Sequence, residues 1–94
     1  MSIHEKKEEH KLDIREIERG IYESTLEAGR ARMAEYLEAV DEQLAAERDR
    51  KQYRDKGKRR TVLKTIMGEV GFSRRVYETE DETGRKFHVY LLDE

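Results

Sequence analysis

Thr61-Val62-Leu63-Lys64-Thr65-Ile66-Met67-Gly68-Glu69-Val70-Gly71-Phe72-Ser73-Arg74-Arg75-Val76-Tyr77 reads as two β-strands joined by a tight turn. The first part is rich in β-branched residues and the second alternates large with small or polar positions, both marks of a pleated, half-buried surface. Gly68-Glu69 suits a two-residue type II′ turn, which needs glycine at its first central position. That turn sets Met67 opposite Val70, Thr65 opposite Phe72, Leu63 opposite Arg74 and Thr61 opposite Val76, a mainly apolar face. The other face carries Ile66, Lys64, Val62 and Arg60 opposite Gly71, Ser73, Arg75 and Tyr77, and it is basic. Downstream, the polar segment Glu82-Thr83-Gly84-Arg85 leads to Phe87-His88-Val89-Tyr90-Leu91, a third alternating strand. A four-residue loop brings Phe87, Val89 and Leu91 to the apolar face, whereas a three-residue loop turns them to the basic one.

Upstream the period changes from two to the helical 3.6. Ile14, Ile17, Ile21, Leu26, Met33, Leu37, Val40 and Leu44 recur mostly three, four and seven apart among charged residues, one apolar stripe on a charged rod. Both Ser2 with Glu5 and Asp13 with Glu16 fit the capping box, and the apolar periodicity favours the second. Lys51, Arg54 and Lys56 suit a helix C-terminus, where cations oppose the macrodipole, and Gly57 suits its left-handed cap. Gly20 and Gly29 interrupt the pattern: either the helix breaks there, or the missing side chain admits a close approach. A helix over 13–57 is about 65 Å long, and the remaining residues cannot cover its stripe. It folds back as a hairpin or pairs with a second copy, and the pairing is the favoured expectation. The expected fold is therefore α+β: a charged tail over 1–12, a long amphipathic helical oligomerisation segment over 13–57, possible breaks near Gly20 or Gly29, and a three-stranded antiparallel meander over 58–94. The closing Leu91-Leu92-Asp93-Glu94 suggests a chain that continues in a longer parent.

Composition restricts what such a chain does. Hydrophobic residues are 35% and charged residues 45%, with a mean hydropathy of -1.08, so apolar material for a private core is thin and association is the expected remedy. No cysteine is present, which removes disulfides and thiolate metal sites. No apolar run approaches the roughly 18 residues of a membrane span, and the charged N-terminus is unlike a signal peptide, so the expected compartment is the cytoplasm. The net charge of -2 conceals segregation. Residues 1–47 carry 7 Lys/Arg against 13 Asp/Glu, residues 48–75 carry 11 against 3, and residues 76–94 carry 2 against 6. A basic stretch of this kind is either a solvated face or the electrostatic footprint of phosphate binding.

Catalytic chemistry finds little support. His4 and His10 are six apart, which does not place two ligands on one helical face, and His88 is a lone strand histidine. Ser2, Ser24 and Ser73 lie in no nucleophile context, the carboxylates read as a solvated helix face, and no glycine-rich phosphate loop occurs. The expectation is a chain that is not an enzyme and holds no metal or cofactor. In Arg48-Asp49-Arg50-Lys51-Gln52-Tyr53-Arg54-Asp55-Lys56-Gly57-Lys58-Arg59-Arg60, by contrast, cations run from the helix end into the hairpin. The expected nucleic-acid contacts are Arg50, Lys51, Arg54, Lys56, Lys58, Arg59, Arg60, Lys64, Arg74 and Arg75. Tyr53 and Tyr77 either stack on bases or pack at the junction of helix and sheet.

The run from Arg48 to Tyr77, with its Gly68-Glu69-Val70 turn and paired Arg74-Arg75, and the closing His88-Val89-Tyr90-Leu91-Leu92-Asp93-Glu94 resemble the N-terminal region of ISLre-type insertion-sequence transposases. The resemblance covers roughly residues 14–94 and is most specific over 58–77. It implies a parent DDE-type transposase in which a downstream RNase H-like domain uses carboxylates and divalent metal. It implies no catalytic residue in this chain. By analogy the front segment binds duplex DNA and holds two subunits together as a homodimer. The alternative is a structural module whose basic stretch docks on the downstream catalytic domain, and structured RNA is a third class of partner.

Overall fold

A computed structural model describes residues 12–93. One helix, α1 (Ile14–Glu47), is followed by strands β1 (Arg54–Thr65), β2 (Gly68–Glu80) and β3 (Lys86–Val89). The strands pair antiparallel in the order β1-β2-β3, the expected meander on an α+β chain. Ser2, His4, Glu5 and His10 lie outside the described residues.

Asp13 caps α1, its side chain accepting from the Arg15 N–H at 2.9 Å, which satisfies an amide the helix cannot. The helix then runs unbroken through both glycines, so neither of the possible breaks occurs and the fold-back hairpin, the less favoured alternative, is absent from α1. Gly20 meets nothing within 4 Å of an added Cβ, whereas at Gly29 that Cβ would lie 2.6 Å from the Met67 Sδ. Gly29 is thus the close approach and Gly20 an open site. Gly20→Ala is expected to add about 1 kcal/mol to local helix stability, read as roughly fivefold slower amide exchange over the surrounding turns. Gly29→Ala should gain less, because Met67 must move aside.

The expected helix end at Gly57 is also corrected. Asp49 takes the amides of Lys51 and Gln52 on its carboxylate (2.9 and 3.3 Å) and those of Gln52 and Tyr53 on its carbonyl (3.1 and 2.9 Å). A side chain that captures nearby amides offers the backbone an alternative to the helix. Arg48 completes the stop, donating to the Ala45 carbonyl at 2.6 Å and the Tyr53 carbonyl at 3.0 Å. Arg54, Lys56 and Gly57 therefore belong to β1, where Gly57 has φ +99 at a register shift between Asp55 and Lys58.

In the hairpin, the central turn residues are Ile66 and Met67, with Thr65 opposite Gly68, not Gly68-Glu69. The pairing slides by four residues, so Leu63 faces Val70 and Thr61 faces Phe72. The physical reason lies in the partners: the expected register set Leu63 against Arg74, and the observed one gives it an apolar neighbour. Thr65 fastens the turn, its hydroxyl accepting from the Met67 N–H at 3.0 Å and donating to the Gly68 carbonyl at 2.8 Å. Arg30 of α1 reaches the Met67 carbonyl at 2.6 Å. Because the slide is even, each residue keeps its expected face.

The third strand does change face. Glu80 pairs with Lys86, so the loop is five residues, and Phe87 and Val89 sit opposite Thr79 and Tyr77 on the face read as basic. Asp81 imposes that length: its Oδ1 accepts from the Thr83 N–H and hydroxyl (2.9 and 2.6 Å) and the Arg85 N–H (3.0 Å). The Thr83 hydroxyl, with the Arg85 amide, holds the Asp81 carboxyl below its ordinary pKa. Leu91 lies beyond β3.

The core is small: Val70, Phe72, Val76 and Tyr77 of β2 with Ala45 of α1. Among the described residues α1 packs on β2 alone of the three strands. Its apolar residues do not form one stripe. Leu26, Met33, Leu37, Val40 and Leu44 are half-buried, whereas Ile14, Ile17 and Ile21 are exposed. The step of five from Ile21 to Leu26 turns the pattern about 140° around the axis. The first half of α1 accordingly forms one end of a molecule that measures 80 × 20 × 17 Å, and of the expected oligomerisation stripe Ile14, Ile17 and Ile21 are the exposed residues.

Candidate functional site

Three polar residues occupy positions of the sheet-facing helical stripe: Arg30, Asp41 and Arg48, each three or four from Leu26, Leu37 or Leu44. Each makes a tertiary contact. Asp41, 2% exposed, holds Arg75 from two sides, its Oδ2 3.0 Å from the Arg75 Nη1 and its carboxylate 3.2 Å from the Arg75 backbone N–H. Glu42 takes the Arg75 Nη2 at 3.1 Å and Asp55 of β1 lies 3.4 Å from its Nε. Burial works against the guanidinium charge, but Glu42 and Asp41 outweigh it and raise the Arg75 pKa. Glu38 accepts from the Ser73 N–H at 2.8 Å. β3 reaches only residues 77–80 of β2, so Glu38 and Asp41 cover part of the edge that β3 leaves open. Arg75, expected to contact nucleic acid, instead fastens the helix to the sheet.

Tyr77 is fully buried, with Tyr53 edge-on at 6.4 Å and the Arg48 guanidinium 5.3 Å from its ring centre. It packs and is not available for stacking on a base. Its hydroxyl has no hydrogen-bond partner among the described residues, and burial, with the Asp41 charge, pushes its pKa above 10.0. A buried hydroxyl without a partner opposes folding, so Tyr77→Phe is expected to be neutral or to stabilise by up to about 1 kcal/mol. The raised pKa means the folded state retains its proton longer than the unfolded state. Stability is thus full below pH 10.0 and falls as pH rises beyond it; urea unfolding at neutral and strongly alkaline pH should show a smaller alkaline loss in Tyr77→Phe.

Two other expected contacts are engaged. Arg74, 8% exposed, donates to the Thr61 hydroxyl at 3.1 Å and the Leu92 carbonyl at 2.6 Å, with its guanidinium 3.8 Å over the Tyr90 ring. Arg54 lies 3.8 Å from Glu78, its cross-strand partner. Exposed, besides Arg54 itself, are Arg50 and Lys51 in the turn after α1, and Lys56, Lys58, Arg59, Arg60 and Lys64 along β1. No acidic residue intervenes from Lys56 to Lys64. Lys58, Arg60 and Lys64 share one face and Arg59 takes the other. Arg60 lies across Gly71, where an added Cβ would be 2.5 Å from its Nη2, and Lys64 sits opposite Glu69.

The cations thus do not converge on one flat face. They line an edge strand of a two-stranded ribbon, a shape the major groove admits with phosphates on both flanks. Asp41 and Glu42 do not stand out as partners because charged residues on a helix usually face water, and Asp55 does not because the expected helix runs past it to residue 57. The legible signal was that Asp41 stands inside the apolar stripe. Among the described residues no three His, Asp or Glu side chains are grouped to hold a metal ion, and no helix is long and apolar enough to cross a membrane.

The sequence profile of Uncharacterised protein family (UPF0236) matches residues 7–94. No curated protein and no solved structure matches the chain.

Proposed function

We propose, starting from the premise that this chain belongs to Uncharacterised protein family (UPF0236), that it is a non-catalytic front module of a DDE-type transposase which binds duplex DNA through β1 and pairs with a second copy through the start of α1. The transposase part rests on the resemblance of residues 48–77 and 88–94. The DNA part rests on one observation: Lys56, Lys58, Arg59, Arg60 and Lys64 stand exposed along an edge strand with no carboxylate among them in the chain. Cations of that density neutralise successive phosphates and release their counterions, so affinity depends steeply on salt.

With four phosphates engaged, affinity for duplex DNA should fall about 100-fold between roughly 50 and 200 mM salt. Titration of the purified chain at both concentrations measures this. No detectable binding at the lower salt sinks the DNA reading. Complex formation with the downstream catalytic domain in its place supports a structural docking module, and tighter binding of duplex RNA transfers the reading to RNA.

A further inference from the structure

We infer that residues 14–28 of α1 pair with the same stretch of a second copy in antiparallel orientation, crossing at Ile21. The inference deepens the pairing half of the proposed function and does not depend on DNA binding. Ile14, Ile17 and Ile21 are 77%, 46% and 62% exposed on a part of the helix that precedes half-buried Leu26 and the contacts of Gly29 and Arg30 with Met67 of the hairpin turn. These three, with Glu18, Tyr22 and Thr25, line one open, mainly apolar concavity. At 3.6 residues per turn, Ser24 and Ala28 share their side of the helix, which lies about 150° round from the stripe against the sheet. A second helix can therefore lie along this face without meeting its neighbour's β2.

The occupant follows from the order of side chains. Large residues stand at the N-terminal end of the face and small ones at the C-terminal end, evenly disposed about Ile21: Ile14 and Ala28 are each seven away, and Ile17 and Thr25 each four. A two-fold axis at Ile21 with the helices antiparallel sets Ile14 against Ala28 and Ile17 against Thr25, so the two outer isoleucines each meet a smaller side chain and only Ile21 meets its own copy. Parallel pairing sets isoleucine against isoleucine and leaves the layers at Ser24 and Ala28 underfilled. It also brings exposed Arg32, on the same side of the helix, against its own copy. The face is complementary to itself in one orientation only. A stretch of this length is marginal as an isolated helix in water, and the pairing supplies the missing cover. One consequence is geometric: the two sheets stand toward opposite ends of the joined rod, with the Asp41 positions of the two copies about 60 Å apart.

The chain contains no cysteine, so single thiols report proximity without background. Ile14→Cys, Ile21→Cys and Ala28→Cys chains are oxidised under mild conditions and resolved without reductant, beside the sedimentation mass of the unmodified chain. The expected result is a doubled mass, a disulfide dimer of Ile21→Cys alone, none of Ile14→Cys alone, and a mixed dimer when Ile14→Cys is combined with Ala28→Cys. Self-linking of Ile14→Cys as complete as that of Ile21→Cys overturns the orientation while leaving the pairing intact. A monomer mass at every concentration overturns the pairing itself, whatever the DNA titration reports.

Discussion

Arg75→Ala is expected to lower the unfolding free energy by about 3–5 kcal/mol. Three carboxylates converge on that guanidinium, and one of them, Asp41, is 2% exposed. Removing the cation leaves Asp41 buried with, among the described residues, only the backbone N–H of position 75 as donor, and an uncompensated buried charge is far more costly than an unmade surface pair. Arg75→Lys should recover only part of the loss, since a lysine presents a point charge in place of the fork that reaches Asp41, Glu42 and Asp55 together. Urea unfolding followed by circular dichroism measures both. A midpoint for Arg75→Ala indistinguishable from the parent would show that the ion cluster is not what fastens α1 to β2.

The second large effect falls on binding. Replacing Lys58, Arg59, Arg60 and Lys64 together by glutamine should leave the urea midpoint nearly unchanged, because all four are exposed and exposed charges contribute little to stability. Duplex binding should weaken by two orders of magnitude or more at about 50 mM salt, and the salt slope should flatten by about 0.9 for each phosphate no longer neutralised. Arg75 is left out of this set on purpose, since its loss acts on folding and would reach DNA only through it. A quadruple variant that binds duplex as tightly as the parent, with the same slope, leaves β1 as an edge strand whose cations serve to block unwanted strand pairing.

The two expectations separate groups that charge counting merges. Arg54, Arg74 and Arg75 belong to the same basic stretch as Lys58 and Arg60, and nothing in their spacing marks them as different. The distinction comes from partners distant in sequence: Glu78 across the strand pair, Tyr90 and Leu92 after the last strand, and Asp41 and Glu42 on the helix. Conversely, the step of five between Ile21 and Leu26 was visible along the chain. It implies two helical faces, one half-buried against the sheet and one exposed.

From the chain alone follow the element order, the α+β class, the antiparallel hairpin, the face each hairpin residue takes and the segregation of charge. These are local properties: side-chain period, β-branching and the position of Asp13 act within a few residues. The helix end, the turn at Ile66-Met67 and the five-residue loop are set by short-range hydrogen bonds of Asp49, Thr65 and Asp81 that side-chain periodicity does not reveal; tertiary structure decided the fate of each arginine. Each depends on which donor finds which acceptor once distant segments meet, as Asp41 finds Arg75 and Arg30 finds the Met67 carbonyl. That competition among nearly equal polar partners is settled only by their arrangement in space.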